Sequence, residues 1–140
     1  MIIKEGNSTI AVRFQDGEEI FESLNILCKN YNVNSAVILS GVGMFKHLVI
    51  GYWNEKEYVK KERNELVEIV SLEGNIGVSV TEGQTMIHLH VAVALPDYSV
   101  VGGHLVSGTF YNGEVFIEKL HNISILRKEE SNGLVGLNPA

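Results

Sequence analysis

One stretch alone carries a helical period, and that single fact excludes most of the folds open to a chain of 140 residues. Within Glu18–Tyr31, apolar Ile20, Phe21, Leu24, Leu27, Cys28 and Tyr31 recur at helical spacing. Glu18, Glu19 and Glu22 crowd its first turns and Lys29 its last, the order a helix dipole favours. Asn32-Val33-Asn34 ends it. Elsewhere, apolar residues alternate with polar ones or gather in short runs between glycines, the pattern of strands. Strands are expected over Thr9–Phe14, Ala36–Leu39, Lys46–Trp53, Glu57–Lys61, Leu66–Leu72 and Ile76–Val80. Two histidine-bearing segments, Glu114–Leu120 and Ile123–Arg127 complete the set. Ser40-Gly41-Val42-Gly43 is expected as a tight turn and Asn112-Gly113 as a hairpin turn. The tail residues Leu134 and Leu137 are expected to dock on the core. One helix laid on a mostly antiparallel β-sheet is an α+β domain. With no linker composition anywhere, one domain is expected over residues 1–140.

The residues that carry chemistry sit in the two histidine segments. His88-Leu89-His90 places two imidazoles on one face of a strand, because residues two apart point the same way. Ile87, Leu89, Val91 and Val93 take the opposite, core-facing side. Ala92 and Ala94 continue the histidine face with small side chains. Two imidazoles side by side are most of a catalytic-type zinc site, which wants three protein ligands and an open position. Whether His104, in Gly102-Gly103-His104-Leu105, supplies the third depends on parity. A loop with an odd number of residues centred on Asp97 sets His104 across from His90. A two-residue loop turns it away, unless a bulge at Gly102-Gly103 restores the geometry.

Charge and composition narrow the partners. Lys and Arg number 11 against 17 Asp and Glu, a formal net charge of −6. DNA affinity rests on basic side chains neutralising phosphates, so this balance disfavours it. The densest basic run, Lys60-Lys61-Glu62-Arg63, is interrupted and flanked by carboxylates. No apolar run reaches membrane-span length. The start, Met1-Ile2-Ile3-Lys4-Glu5-Gly6, lacks the layout of a signal peptide. A single cysteine, Cys28, excludes an internal disulfide. Together these favour the cytoplasm.

Other constellations are weaker. Gly-x-Ser-x-Gly and a recognisable cysteine–histidine pair are absent, so nucleophilic catalysis has no candidate. Arg13 and Glu73 stand beside strand ends as candidate catalytic residues, an anion clamp or a general acid/base. His47 and His121 stand alone and read as surface or hydrogen-bonding residues.

Several motifs in order resemble the plants-and-prokaryotes conserved (PPC) domain family, from about Arg13 to Leu137. They are Ser40-Gly41-Val42-Gly43, Gly51-Tyr52, Glu68 to Ile76, His88-Leu89-His90-Val91, Val101-Gly102-Gly103-His104-Leu105, Glu114-Val115 and Gly133-Leu134. The resemblance implies a compact α/β domain that forms a homotrimer. It also implies a zinc ion, one per chain, on His88, His90 and His104. Plant members carry a separate AT-hook for the DNA minor groove, but no Arg-Gly-Arg-Pro core occurs here. Prokaryotic members are described as predicted DNA-binding proteins. The fold also resembles acetolactate decarboxylase, a zinc enzyme with three histidine ligands, although fold does not settle function.

Three readings follow. The first is a trimeric, zinc-binding PPC-domain protein with a regulatory or DNA-associated role. The second is a zinc-dependent enzyme, of lyase or decarboxylase type, acting on a small anionic metabolite that Arg13 could hold. The third is an oligomerisation module stabilised by its metal. Imidazole suits several divalent ions, and zinc is the one the resemblance implies.

Overall fold

A computed structural model describes residues 1–140 as one helix and nine strands. In chain order they are β1 (Ile2–Glu5), β2 (Thr9–Phe14), α1 (Ile20–Asn30), β3 (Ala36–Trp53), β4 (Tyr58–Arg63) and β5 (Val67–Ser79). Then come β6 (Thr85–Ala94), β7 (Val100–Lys119), β8 (Ile125–Glu129) and β9 (Val135–Pro139). The Glu19 carboxylate caps α1 by accepting from the Glu22 amide at 2.9 Å. Tyr31 N–H closes the far end on the Leu27 carbonyl, and Asn32 leaves in a left-handed conformation at φ 53°. Ile20, Leu24, Leu27 and Cys28 are buried, as the helical spacing predicts.

All nine strands belong to one sheet, and every pairing except β5 with β8 is antiparallel. β3 pairs with both β5 and β7, while β6 pairs with both β5 and β7. These four long strands therefore close a ring. Its inner face carries Phe45, Leu48, Leu72, Leu89, Leu105 and Phe110, all nearly inaccessible to solvent. Phe14 and Phe45 stack on Phe110 at ring separations of 4.3 and 4.6 Å. The core is one cluster of 24 buried residues to which the helix, the ring strands and β2 all contribute.

Two expected turns are not turns. Ser40-Gly41-Val42-Gly43 lies inside β3, and Asn112-Gly113 lies inside β7 opposite Met44 and Gly43. Both strands run on through their glycines with register shifts, between Ile38 and Ser40 and between Met44 and Phe45. Here glycine bends a strand instead of reversing it. Gly43 has φ +124°, and a Cβ there would stand 2.3 Å from the Asn112 carbonyl oxygen. For the same reason the two strands expected over 66–72 and 76–80 are one strand, β5, continuous through Glu73-Gly74-Asn75. The tail also differs from expectation. It pairs as edge strand β9 with β8, leaving Leu137 exposed.

Candidate metal centre

Parity is decided by the loop between β6 and β7. The last pair of that ladder is Ala94 with Val100, which leaves Leu95–Ser99 as a loop centred on Asp97. Asp97 Oδ1 accepts the Ser99 amide at 3.0 Å and the Ser99 hydroxyl at 2.6 Å. Tyr98 takes φ 66°, and its amide donates to the Leu95 carbonyl at 2.8 Å. The ladder that leaves this loop pairs His90 directly with His104, with no bulge at Gly102 or Gly103.

The three imidazoles meet on the outer face of the ring, opposite buried Leu89, Val91 and Leu105. Their centroids are 5.1, 5.1 and 5.5 Å apart, and one ligand nitrogen from each lies within 4.8 Å of the others. Nitrogens held about 2.0–2.1 Å from one tetrahedral ion lie about 3.4 Å apart, so small ring rotations bring these three onto a common ion. Tyr58 from β4 stacks on His104 at 4.5 Å and limits that ring's movement. His104 Nδ1 is buried without a hydrogen-bond partner, an orphaned lone pair or N–H. His88, His90 and His104 line a cleft of about 480 Å³ together with Tyr58, Arg127 and Leu134.

Burial favours the neutral form of His88 and His104, the form that binds metal. Burial, then the charge of Arg127 and then the other two histidines, push His88 down to about 4. Burial, then His90, also lowers His104. Arg127 Nη2 stands 3.3 Å from His88 Nδ1. A guanidinium only donates, so Nδ1 accepts and the His88 proton sits on Nε2. An incoming ion must displace either that proton or Arg127's bond.

Glu73 lies directly across from His90 on β5, but its carboxylate is exposed and accepts from Ser71 Oγ at 2.9 Å. Arg13 is exposed on β2, paired with Ile2 and Glu114, and lines a different groove with Lys4 and Phe116. Neither lines the histidine cleft. Sequence reasoning missed Arg127, Asn75, Tyr58 and Glu130, which do line or support it. Asn75 had one signal in the sequence, since it lies in the Glu68–Ile76 stretch that carries the family resemblance. His47 binds Glu62 at 2.9 Å on the surface, and His121 lies in another, polar cleft.

This arrangement, a glycine-bent sheet with one helix and three histidines on its outer face, has known relatives. The chain belongs to the Plants and Prokaryotes Conserved (PCC) domain family, whose model matches residues 1–121. That span includes the three histidines and ends before Arg127. A plant- and prokaryote-conserved protein from Pyrococcus horikoshii is 32% identical, with TM-score 0.88 over 98% of this chain and 94% of that one. A metal-containing protein from Archaeoglobus fulgidus is 30% identical, with TM-score 0.85 over 99% of each chain. A candidate DNA-binding protein from Bacteroides thetaiotaomicron is 29% identical, with TM-score 0.86 over 98% and 96%. Alpha-acetolactate decarboxylase from Bacillus subtilis shares the fold alone, at 16% identity and TM-score 0.58 over 88% of this chain and 57% of that one. No curated protein sequence matches the chain significantly.

Proposed function

We propose that this chain holds one zinc ion through His88, His90 and His104 and presents the ion's open position to the adjoining cleft, where it captures a small molecule in a regulatory role. The observation that carries this reading is the meeting of three imidazoles, one with a buried unpartnered nitrogen, in the wall of a cleft of about 480 Å³. Three protein ligands with a free position distinguish working zinc sites from closed structural ones. When bound, zinc acts as a Lewis acid towards a carbonyl or a water. The chain's own part is to orient His104 against Tyr58 and to hold His88 neutral.

The working unit we propose is a homotrimer. The strands leave Leu39, Val42, Tyr52, Val59, Val70 and Phe116 about half or more exposed, apolar surface that association between copies would cover. A second reading, a zinc-dependent lyase or decarboxylase acting on a small anionic metabolite, is favoured by Glu130. This carboxylate lines the same cleft, and a carboxylate is a group able to act as general acid or base. A role on DNA has less support, given the charge of −6.

Metal analysis and light scattering on one purified sample test the proposal. The expected result is about one zinc per chain and a mass near three times 15.5 kDa. His90→Ala should lose stoichiometric zinc. Full zinc retention in that variant, or a stable monomer, contradicts the reading.

A further inference from the structure

Arg127 is a buried cation without a counter-ion. It is 5% exposed. Its guanidinium donates to Asn75 Oδ1, to His88 Nδ1 at 3.3 Å and to the Val135 carbonyl at 3.3 Å, and all three acceptors are neutral. Its Nε is buried with no partner. Arg127 takes part in none of the chain's ion pairs. Glu130 shares the cleft, but its carboxylate accepts from Asn132 Nδ2 at 3.4 Å and forms no ion pair with the guanidinium. Buried charges are normally paired, because desolvation is otherwise uncompensated. An ion on the neighbouring histidines would add positive charge to the same wall.

We infer that Arg127 and the histidine-bound ion together take the carboxylate of a small organic acid, whose apolar part lies along Met86 and Leu134. The ion's share rests on the zinc reading above, whereas Arg127's share rests on its own unpaired charge. A guanidinium matches a carboxylate in charge and in planar geometry. The apolar lining beside it suits a carbon body better than a hydrated inorganic ion. A cleft of about 480 Å³ also lies in the range that small-molecule sites occupy.

The test titrates isobutyrate, the isosteric neutral isobutyramide and inorganic phosphate into the zinc-loaded protein by calorimetry. In parallel, NMR follows the Arg127 Nε–H signal. Isobutyrate should bind and move that signal, with isobutyramide at least about tenfold weaker and phosphate no better than isobutyramide. Arg127→Gln should weaken isobutyrate at least about tenfold, compared per bound zinc. Equal affinity for acid and amide, an unmoved Nε–H signal, or unchanged affinity in Arg127→Gln overturns the inference. Phosphate binding more tightly than isobutyrate overturns the organic-acid class. If Arg127→Gln does not fold, the acid–amide comparison and the Nε–H signal of the wild type decide. If the wild type holds no zinc, the zinc reading fails by itself. Isobutyrate shifting Nε–H in the metal-free protein then upholds the Arg127 site, and an unmoved signal there overturns it.

Discussion

Arg127 reaches His88 across 39 positions of sequence, and its charge helps burial to hold that imidazole neutral. This has a measurable consequence in the metal-free protein. In the unfolded chain a histidine titrates near its ordinary value of 6.5, whereas in the fold His88 titrates near 4. Between those values the unfolded state binds a proton that the fold refuses. Stability is therefore fully present above about pH 6.5 and is lost progressively as pH falls towards 4. His104, also lowered by burial, adds in the same direction. Thermal melts of chelator-treated protein across this window should show the decline, and His88→Gln should flatten it. Equal slopes for variant and wild type would contradict the assignment. The histidines themselves were legible at residue scale, because a His-x-His step in a strand puts both rings on one face. Arg127 was not, because no local period links a buried arginine on β8 to a histidine on β6.

At the scale of elements, the site depends on how closely β5 can approach β6. Gly74 lies opposite Leu89 with φ +155°, and a Cβ there would stand 2.0 Å from the His88 carbonyl oxygen. Any side chain must push the two strands apart where His88 and Asn75 face each other. Gly74→Ala should destabilise the fold by about 1–3 kcal/mol, the ordinary range for a backbone clash in a core element. It should also lower zinc content, because His88 moves with its strand. Urea unfolding and metal analysis check both effects, and an unaltered variant would show that β5 tolerates the separation. The same strands show where element-scale reading stopped. Glycines at 41, 43, 74 and 113 punctuate the sequence as turns would, yet each lies within a long strand. Whether a glycine reverses a chain or bends it depends on what lies opposite. The partner of Gly43 comes from β7, far along the chain, and that of Gly74 from the neighbouring strand β6.

For the whole molecule, charge decides the expected behaviour with DNA. Three chains at −6 each give −18 for the proposed trimer. The basic strand β4 is diluted by nearby carboxylates: Glu62 within it pairs with His47 at 2.9 Å, and Glu65 just beyond it pairs with Arg63 at 3.2 Å. Binding to duplex DNA at physiological salt should be weaker than about 10⁻⁶ M, the tight end of ordinary non-specific association. A fluorescence titration at several salt concentrations checks this. Submicromolar affinity that weakens steeply with added salt would reveal a phosphate-contacting surface and contradict the prediction. The amino-acid sequence by itself determined the class of fold and the inner and outer faces of the histidine strand. Both follow from side-chain periods of 3.6 and 2, which are local. It also held the three histidines in the family's order. The joining of β3, β5 and β7 into long bent strands that close a ring was decided only by the tertiary structure. So was the loop parity that sets His104 across from His90, and the arrival of Arg127, Tyr58 and Glu130 around the cleft. These rest on packing between segments distant in the chain, where the energy of a contact depends on a partner that no local pattern names.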